Sequence, residues 1–291
     1  MSAPLLEIAG LSAVSTREGA RVLRDVDLVV GEGEVHGLVG ESGAGKSTIA
    51  KAVLDILPAT IRITGGRIAF RGRDLTTMDH RSLRALVARE IALIPQDPMT
   101  GLNPTRRIEA QLTDGMRLVA GMGRAEARAR ALTLLEEVHI RDPERTLAAY
   151  PHELSGGMRQ RVLIAAAFAL EPKLVVADEP TTALDVTVQK QILRLIRGMQ
   201  ERHGTGVIFV THDLGVVAKI CDRVTLLYQG KVIEAGPVRE MIERPDHPYT
   251  RALLAASPRY DRPEHGFDPV PPGVIAGLEA EIARHDAGRA G

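Results

Sequence analysis

The stretch "GESGAGKST", Gly40 to Thr48, decides the fold. It follows "EVHGLVG", which reads as a buried strand ending in glycine, and it opens "KSTIAKAVLDIL", which reads as a helix over 46–57. The spacing fits G-x-x-x-x-G-K-[ST] at Gly40, Gly45, Lys46 and Ser47. Glycines at those places let backbone N–H groups turn inward on phosphate oxygens, and the helix N-terminus adds its partial positive charge. Lys46 would reach the β- and γ-phosphates and Ser47 would ligate Mg²⁺, so the nucleotide-binding set is Gly40, Glu41, Ser42, Gly43, Ala44, Gly45, Lys46, Ser47 and Thr48. The plain alternative is a glycine-rich turn that binds nothing, and the strand before it and helix after it weigh against that.

Working outward, the first forty residues read as strands with polar turns ("LLEIAG", "VDLVV"), with "GRIAFRG" a further hairpin strand and "IALIP" a core strand. From Pro98 to about Leu154 helical periodicity dominates, which predicts a helical subdomain, about 98–157, inserted between two α/β halves. Beyond it come a helix over 157–170, the strand "KLVVAD", a helix from Val186 to about His203, the strand "GVIFVT", a helix over 214–220 and the strand "RVTLLYQG". Strands alternating with helices predict a mostly parallel sheet covered on both faces. The prolines at 245, 248, 258, 263, 269, 271 and 272 predict an extended or irregular tail with one short helix at 274–284. The domains are then 1–243 and an extension over 244–291.

Composition excludes several classes. Lys plus Arg and Asp plus Glu balance at 37 each, so no bulk field favours nucleic acid or an anionic membrane. Four Tyr, four Phe and no Trp weaken any case for stacking on single strands. One cysteine, Cys221, permits neither an internal disulfide nor a zinc cluster and fits a reducing compartment. No signal peptide is visible in "MSAPLLEIAG", and the longest apolar run, Val162 to Leu170, is far short of the ~20 residues that span a bilayer. Any membrane role is therefore expected to be peripheral.

Three further places carry chemistry. "LVVADEP" puts Asp178 and Glu179 at the C-terminal end of a buried strand, where open α/β sheets bind ligands. Adjacent residues there point apart, so Asp178 is assigned to Mg²⁺ and Glu179 to orienting or deprotonating water. "VIFVTHD" sets His212 past the next strand, within reach of a γ-phosphate; taken alone, a satisfied or exposed histidine is the simpler reading. Gln96 ends "IALIPQ", at the hinge of the helical insertion, where an amide could reach Mg²⁺ and the water; taken alone it is a loop amide. "LSGGMRQR", Leu154 to Arg161, has no base, nucleophile or metal ligand, yet its Ser and two glycines precede the apolar run "VLIAAAFAL" like a helix start built to hold something.

In this order the pieces resemble the nucleotide-binding subunit of ATP-binding cassette (ABC) transporters. "GESGAGKST" matches the P-loop, "PQDP" the Q-loop, "LSGGMRQR" the signature, "LVVADEP" the Walker B segment, "TTALD" the D-loop and "THD" the switch histidine, over about residues 5–257. "QDPMTGLNP", "RPDHPYTRALLAASP" and "EPTTALDVTVQ" look like the subgroup that powers import of oligopeptides, dipeptides, nickel and related solutes. The resemblance implies an α/β P-loop NTPase of ABC type: a mostly parallel core sheet, an N-terminal antiparallel β-subdomain and an inserted α-helical subdomain. It implies an ATPase that uses ATP and Mg²⁺ and dimerises head to tail, each ATP lying between one protomer's P-loop and the other's Ser155, Gly156 and Gly157, with Asp185 crossing the same interface. Glu179, His212 and Gln96 would be catalytic; Ser47, Gln96 and Asp178 would hold the metal. The implied partners are two transmembrane permease subunits, a second ATPase subunit (paralogue or self, with a modest tilt to a paralogue) and, indirectly, a periplasmic or extracellular solute-binding protein; nucleic acid is not among them. The implied location is the cytoplasmic face of the inner (cell) membrane. The groove beside "DPMTGLNP" is the candidate dock for a short permease helix.

Two departures matter. Family members stack adenine on an aromatic near the N-terminus, but no aromatic precedes Phe70 here, and Val14 is the nearest equivalent. Several relatives hold an iron–sulfur cluster on C-terminal cysteines; nothing after Cys221 is Cys, so no cluster is expected. Val274, Ile275, Leu278 and Ile282 lie at helical spacing in the tail, for docking on a partner or packing on their own domain. The alternatives are an ABC ATPase outside transport, such as an accessory protein of phosphonate metabolism, and a P-loop small-molecule kinase, which has no use for "LSGGMRQR".

Overall fold

A computed structural model describes residues 3–182, 185–256 and 270–288. β1 (Leu6–Ser15) and β2 (Arg21–Val30) pair antiparallel, and β3 (Val35–Gly40), buried along its whole length, leads into the 40–48 loop and α1 (Lys46–Val53). That helix stops short of the expected residue 57: Asp55 takes a left-handed φ of 55° and Pro58 follows. β4 (Ile61–Phe70) pairs antiparallel with β1 and with the short β5 (Arg73–Asp74), completing an N-terminal β-layer. α2 (His80–Glu90), unread from sequence, is capped by Asp79, whose carboxylate accepts from Arg81 N and Ser82 N, and it runs into β6 (Ile91–Ile94).

The helical insertion comprises α3 (Ile108–Leu118), α4 (Arg124–Glu137), α5 (Pro143–Ala148) and the start of α6 (Gly156–Ala167). Its first ten expected residues, 98–107, are turn and coil rather than helix. Then come β7 (Leu174–Asp178), α7 (Val186–His203), β8 (Gly206–Thr211), α8 (Leu214–Ile220) and β9 (Arg223–Tyr228), close to the boundaries that periodicity predicts. A strand absent from the sequence reading, β10 (Lys231–Pro237), hairpins back on β9 and touches β2 through Lys231 and Arg24.

The ten strands form one sheet in the order β5-β4-β1-β2-β10-β9-β3-β8-β7-β6. Its functional half is parallel: β3 pairs with β8 and β9, and β7 with β8 and β6. Alternate residues of these strands enter different cores, as the period of two requires. Val175, Ala177, Val207 and Phe209 pack with the helical insertion and α7, while Leu174, Val176, Ile208 and Val210 pack with α1, α2 and the β-layer. Both faces are covered, which is why these strands read as unbroken apolar runs.

The tail departs most from expectation. After α9 (Val238–Glu243), α10 (Pro248–Ala256) stands where irregular chain is predicted, and α11 (Pro272–Ala287) contains the short helix predicted at 274–284 and extends it at both ends. Both open on proline, which fits a first helical turn because it lacks an N–H where a helix N–H would have no intrahelical partner. Leu278 and Ile282 are buried and Val274 and Ile275 half-buried, all in a third core with Val39, Leu226, Tyr228 and Tyr249. Burying Leu278 and Ile282 contributes roughly 3–6 kcal/mol gross. The tail's apolar stripe is therefore spent on its own domain, the second of the two fates open to it. Ala183 and Leu184 of "TTALD", and tail residues 257–269, lie outside the described residues.

Candidate active site

The convergence of distant motifs follows from strand order. β3, β8, β7 and β6 are consecutive parallel neighbours, so their C-terminal ends form one edge. That edge carries the 40–48 loop after β3, His212 after β8, Asp178 and Glu179 at the end of β7, and Gln96 two residues beyond β6. Open α/β sheets bind ligands at this edge.

Gly45 caps α1 at φ 96°, a conformation side chains avoid, and a Cβ there would stand 2.8 Å from Leu23 Cδ2. No side chain caps the first turn of α1, where the Thr48 N–H is taken by Gly45 O at 3.1 Å. Lys46 is buried, and its Nζ donates to the carbonyls of Gly40 (2.7 Å) and Glu41 (2.9 Å). Burial pulls the Lys46 pKa below that of an ordinary lysine, opposed by Glu179, Asp178 and Glu41 in that order. Ser47 donates its hydroxyl to Asp178 Oδ1 at 3.3 Å. Burial pushes the Asp178 carboxyl up, against the Ser47 hydrogen bond and with the like charge of Glu179.

Glu179 is the hub. Its φ of 45° is rare for a side-chain-bearing residue and turns it away from Asp178, while its N–H stays on Val210 O at 3.0 Å. Its Oε2 accepts from Gln96 Nε2 (3.2 Å) and Thr182 Oγ1 (2.9 Å), and its Oε1 lies 3.4 Å from His212 Nδ1. Gln96, Glu179 and His212 therefore sit together, with His212 58% exposed. Two contributors escaped the sequence reading. Thr182 orients the carboxylate, and a hydroxyl three residues beyond a strand-end acid was the available signal. Gln160, buried inside "LSGGMRQR", donates to Pro180 O at 3.0 Å and so ties α6 to the segment carrying Glu179.

Ser155, Gly156 and Gly157 are not part of this cluster. Ser155 caps α6, its Oγ accepting from Met158 N at 3.3 Å, and a Cβ on Gly156 or Gly157 would meet nothing within 4 Å. Their N–H groups thus open a helix on the protein's surface. Asp185 caps α7, accepting from Thr187 N (3.0 Å) and Val188 N (2.9 Å). Val14, half-buried near the end of β1, pairs with Arg21 beside the Val22–Leu23 segment that backs the loop.

The donor set fits Mg²⁺. Ser47, Asp178 and Gln96 offer a hydroxyl, a carboxylate and an amide, hard oxygens suited to an ion that keeps water and substrate phosphates as its other ligands. Among the described residues no group of three or more His, Cys, Asp or Glu that could hold a metal ion occurs.

Comparison with known proteins agrees. The family described as "ABC transporter" matches residues 23–182, and "Oligopeptide/dipeptide transporter, C-terminal region" matches 233–281. The chain is 48% identical over 263 residues to the probable peptide ABC transporter ATP-binding protein y4tR of Sinorhizobium fredii, covering 90% of this chain and 78% of that one. It is 44% identical over 281 residues to the probable D,D-dipeptide transport ATP-binding protein DdpD of Escherichia coli, covering 96% and 85%. Among solved structures, cbiO1 from Clostridium perfringens, part of the ABC transporter complex cbiONQ, superposes with a TM-score of 0.74 at 27% identity, covering 90% of this chain and 97% of that one. The dimeric post-hydrolysis state of the ATP-binding cassette MJ0796 bound to ADP and Pi gives 0.70 at 28%, covering 80% and 99%. The chain belongs to the ABC transporter family and is an ATPase of its oligopeptide/dipeptide branch.

Proposed function

We propose that this chain is the ATP-hydrolysing subunit of a membrane importer for peptides or related small solutes. The observation that carries the reading is the pairing of a complete catalytic edge with a C-terminal region of oligopeptide/dipeptide transporter type on one protein. The same pairing, with relatives named for peptide transport, favours import over an accessory role in phosphonate metabolism.

The chemistry follows from the residues. The 40–48 loop and Lys46 hold the β- and γ-phosphates. Glu179, fixed by Thr182 and Gln96, accepts a proton from the attacking water, and His212 faces the γ-phosphate and keeps the Glu179 carboxylate aligned. Ser47, Asp178 and Gln96 would hold Mg²⁺, which when bound neutralises developing phosphate charge. The site is half of a whole: the outward-facing start of α6 at Ser155, Gly156 and Gly157 caps the γ-phosphate held by another subunit, and Asp185 adds to that interface. ATP binding closes two such halves, and hydrolysis reopens them.

Gln96 carries that motion outward, because the segment after it borders a cleft of about 490 Å³ lined by Ala92, Pro95, Thr100, Gly101, Leu163 and Ala166. This cleft is the proposed seat of a permease helix. Among the described residues no helix is long and apolar enough to cross a membrane; the subunit is proposed to meet the membrane through the permease, on the cytoplasmic face. The second ATPase is a paralogue or a further copy, a solute-binding protein supplies the cargo, and no iron–sulfur cluster is involved. Co-expression with the neighbouring permease genes tests the proposal. We expect a membrane complex whose ATPase rises with loaded solute-binding protein; an ATPase that never co-purifies with a permease pair overturns it.

A further inference from the structure

The C-terminal extension reaches the phosphate loop through one side chain. Tyr249, in "HPYT" at the start of α10, is fully buried, yet its hydroxyl donates to Glu41 Oε1 at 3.0 Å. Its ring meets Tyr228 edge-on, with centroids 5.2 Å apart at 63°. We propose that Tyr249 is a positioning residue for ATP binding, holding Glu41 and through it the turn of the loop that anchors Lys46.

Glu41 is a strategic place to grip. Its carbonyl accepts both Lys46 Nζ (2.9 Å) and Ala44 N (3.1 Å), so its orientation sets the turn and the lysine together. Its side chain also puts a carboxylate on a loop that must receive an anion. Bonding to Tyr249 keeps that charge on the α10 side and supplies it with a donor. Burial, and then the nearby Glu41 charge, push the Tyr249 phenol up, so the hydroxyl keeps its proton.

Tyr249 is itself held firmly. Its N–H donates to His247 Nδ1 (3.1 Å), which assigns the proton to Nε2, facing Glu281 on α11 at 3.4 Å. Asp246 N and His247 N both donate to Glu234 at 3.0 Å, and Glu281 also pairs with Lys231. A second grip reaches the far end of the loop. Gly230 N donates to Ala44 O (3.0 Å), Arg24 N donates to Gly230 O (2.8 Å), and the Arg24 guanidinium is forked on Asp286 of α11 at 3.0–3.1 Å. The extension thus braces the loop at Glu41 directly and at Ala44 through two links.

This inference rests on the ABC ATPase reading, and one double-mutant cycle separates the two. Tyr249→Phe, Glu41→Ala and the double variant are compared for MgATP affinity, kcat at saturating ATP and nucleotide-free melting temperature. Losing a charge-assisted hydrogen bond at the loop weakens ATP binding about threefold to tenfold in each single variant. The double variant is expected to be no weaker than Glu41→Ala alone, with kcat retained in Tyr249→Phe. A merely structural tyrosine would lower the melting temperature and leave affinity unchanged. Native affinity in Tyr249→Phe, or effects that multiply in the double variant, overturns the proposal. A native protein that binds no ATP overturns the ATPase reading instead. If Tyr249→Phe does not fold, amide exchange decides on Glu41→Ala: faster exchange across 249–253 supports the link, and unchanged exchange refutes it.

Discussion

Replacing Glu179 with Gln removes one charge and almost nothing else. The Gln oxygen can take the place of Oε2 and keep its two donors, Thr182 Oγ1 and Gln96 Nε2. The contact that changes is the one with His212, which is 58% exposed; screened pairs of that kind are worth about 0–1 kcal/mol, so folding is expected to be intact. Lys46 loses its largest opposing carboxylate but keeps Asp178 and Glu41, so the loop retains a cation for the phosphates. What disappears is the proton acceptor for water. A positioned general base contributes about 10²–10⁴ in rate, equivalent to roughly 3–5 kcal/mol of barrier. Phosphate release should therefore fall by that factor while MgATP binding persists. Since closure needs binding and reopening needs hydrolysis, Glu179→Gln should accumulate as a dimer on size exclusion with MgATP and dissociate when nucleotide is removed. Turnover within about threefold of native would refute the assignment, because no neighbouring group seen at 2.9–3.4 Å from this carboxylate could replace it without a measurable loss.

Other tests reach different parts of the molecule. Gly156→Asp adds a side chain where nothing lies within 4 Å, and an acid suits a helix start, so the melting temperature should hold while ATP-driven dimers vanish, as followed by light scattering. Val14→Tyr restores a surface for adenine and should tighten ATP binding about tenfold in a fluorescent-nucleotide competition, by stacking. Ile282→Ala, at a site only 4% exposed, should cost about 2–4 kcal/mol in urea melts, through the cavity it opens in the third core. Acid should loosen α11. The Arg24 hydrogen bonds hold the Asp286 carboxyl below its ordinary 3.8, and the Lys231 bond holds Glu281 below its ordinary 4.5. Depressed folded-state values mean that the stabilisation is complete above those ordinary values and fades as pH falls through the lower folded ones, so protease cleavage within 272–287 should rise below about pH 4.

The catalytic edge can be read from sequence because each part obeys a local chemical constraint. A phosphate loop needs glycine, lysine and a hydroxyl at fixed spacing, and a buried parallel strand needs an unbroken apolar run, so Gly40–Thr48 and "LVVAD" declare themselves. Their meeting is equally constrained, since parallel strands leave all their C-terminal ends on one edge and the motifs follow β3, β6, β7 and β8. The extension obeys no such local rule. Proline argues against a helix interior and for a helix start with equal force, and only the partner surface decides between them. At 248 the decision is made by Tyr249 and at 272 by Leu278 and Ile282, whose burial depends on β3 and β9 residues such as Val39, Leu226 and Tyr228, far from them in the chain. β10 is unread for a related reason: "KVIEAGP" is half-buried except at the exposed Ala235, and its sequence has neither the unbroken apolar run of a core strand nor clean alternation. "HPYT" did carry a usable signal. A histidine before a helix-starting proline can cap through Nδ1, and an aromatic two residues into such a helix is poorly placed for solvent. Its target, Glu41, lies 208 residues away, and nothing in the spacing of either residue points to the other. A local motif can announce that a loop binds phosphate, whereas what holds that loop in shape is set by which distant surfaces happen to pack behind it.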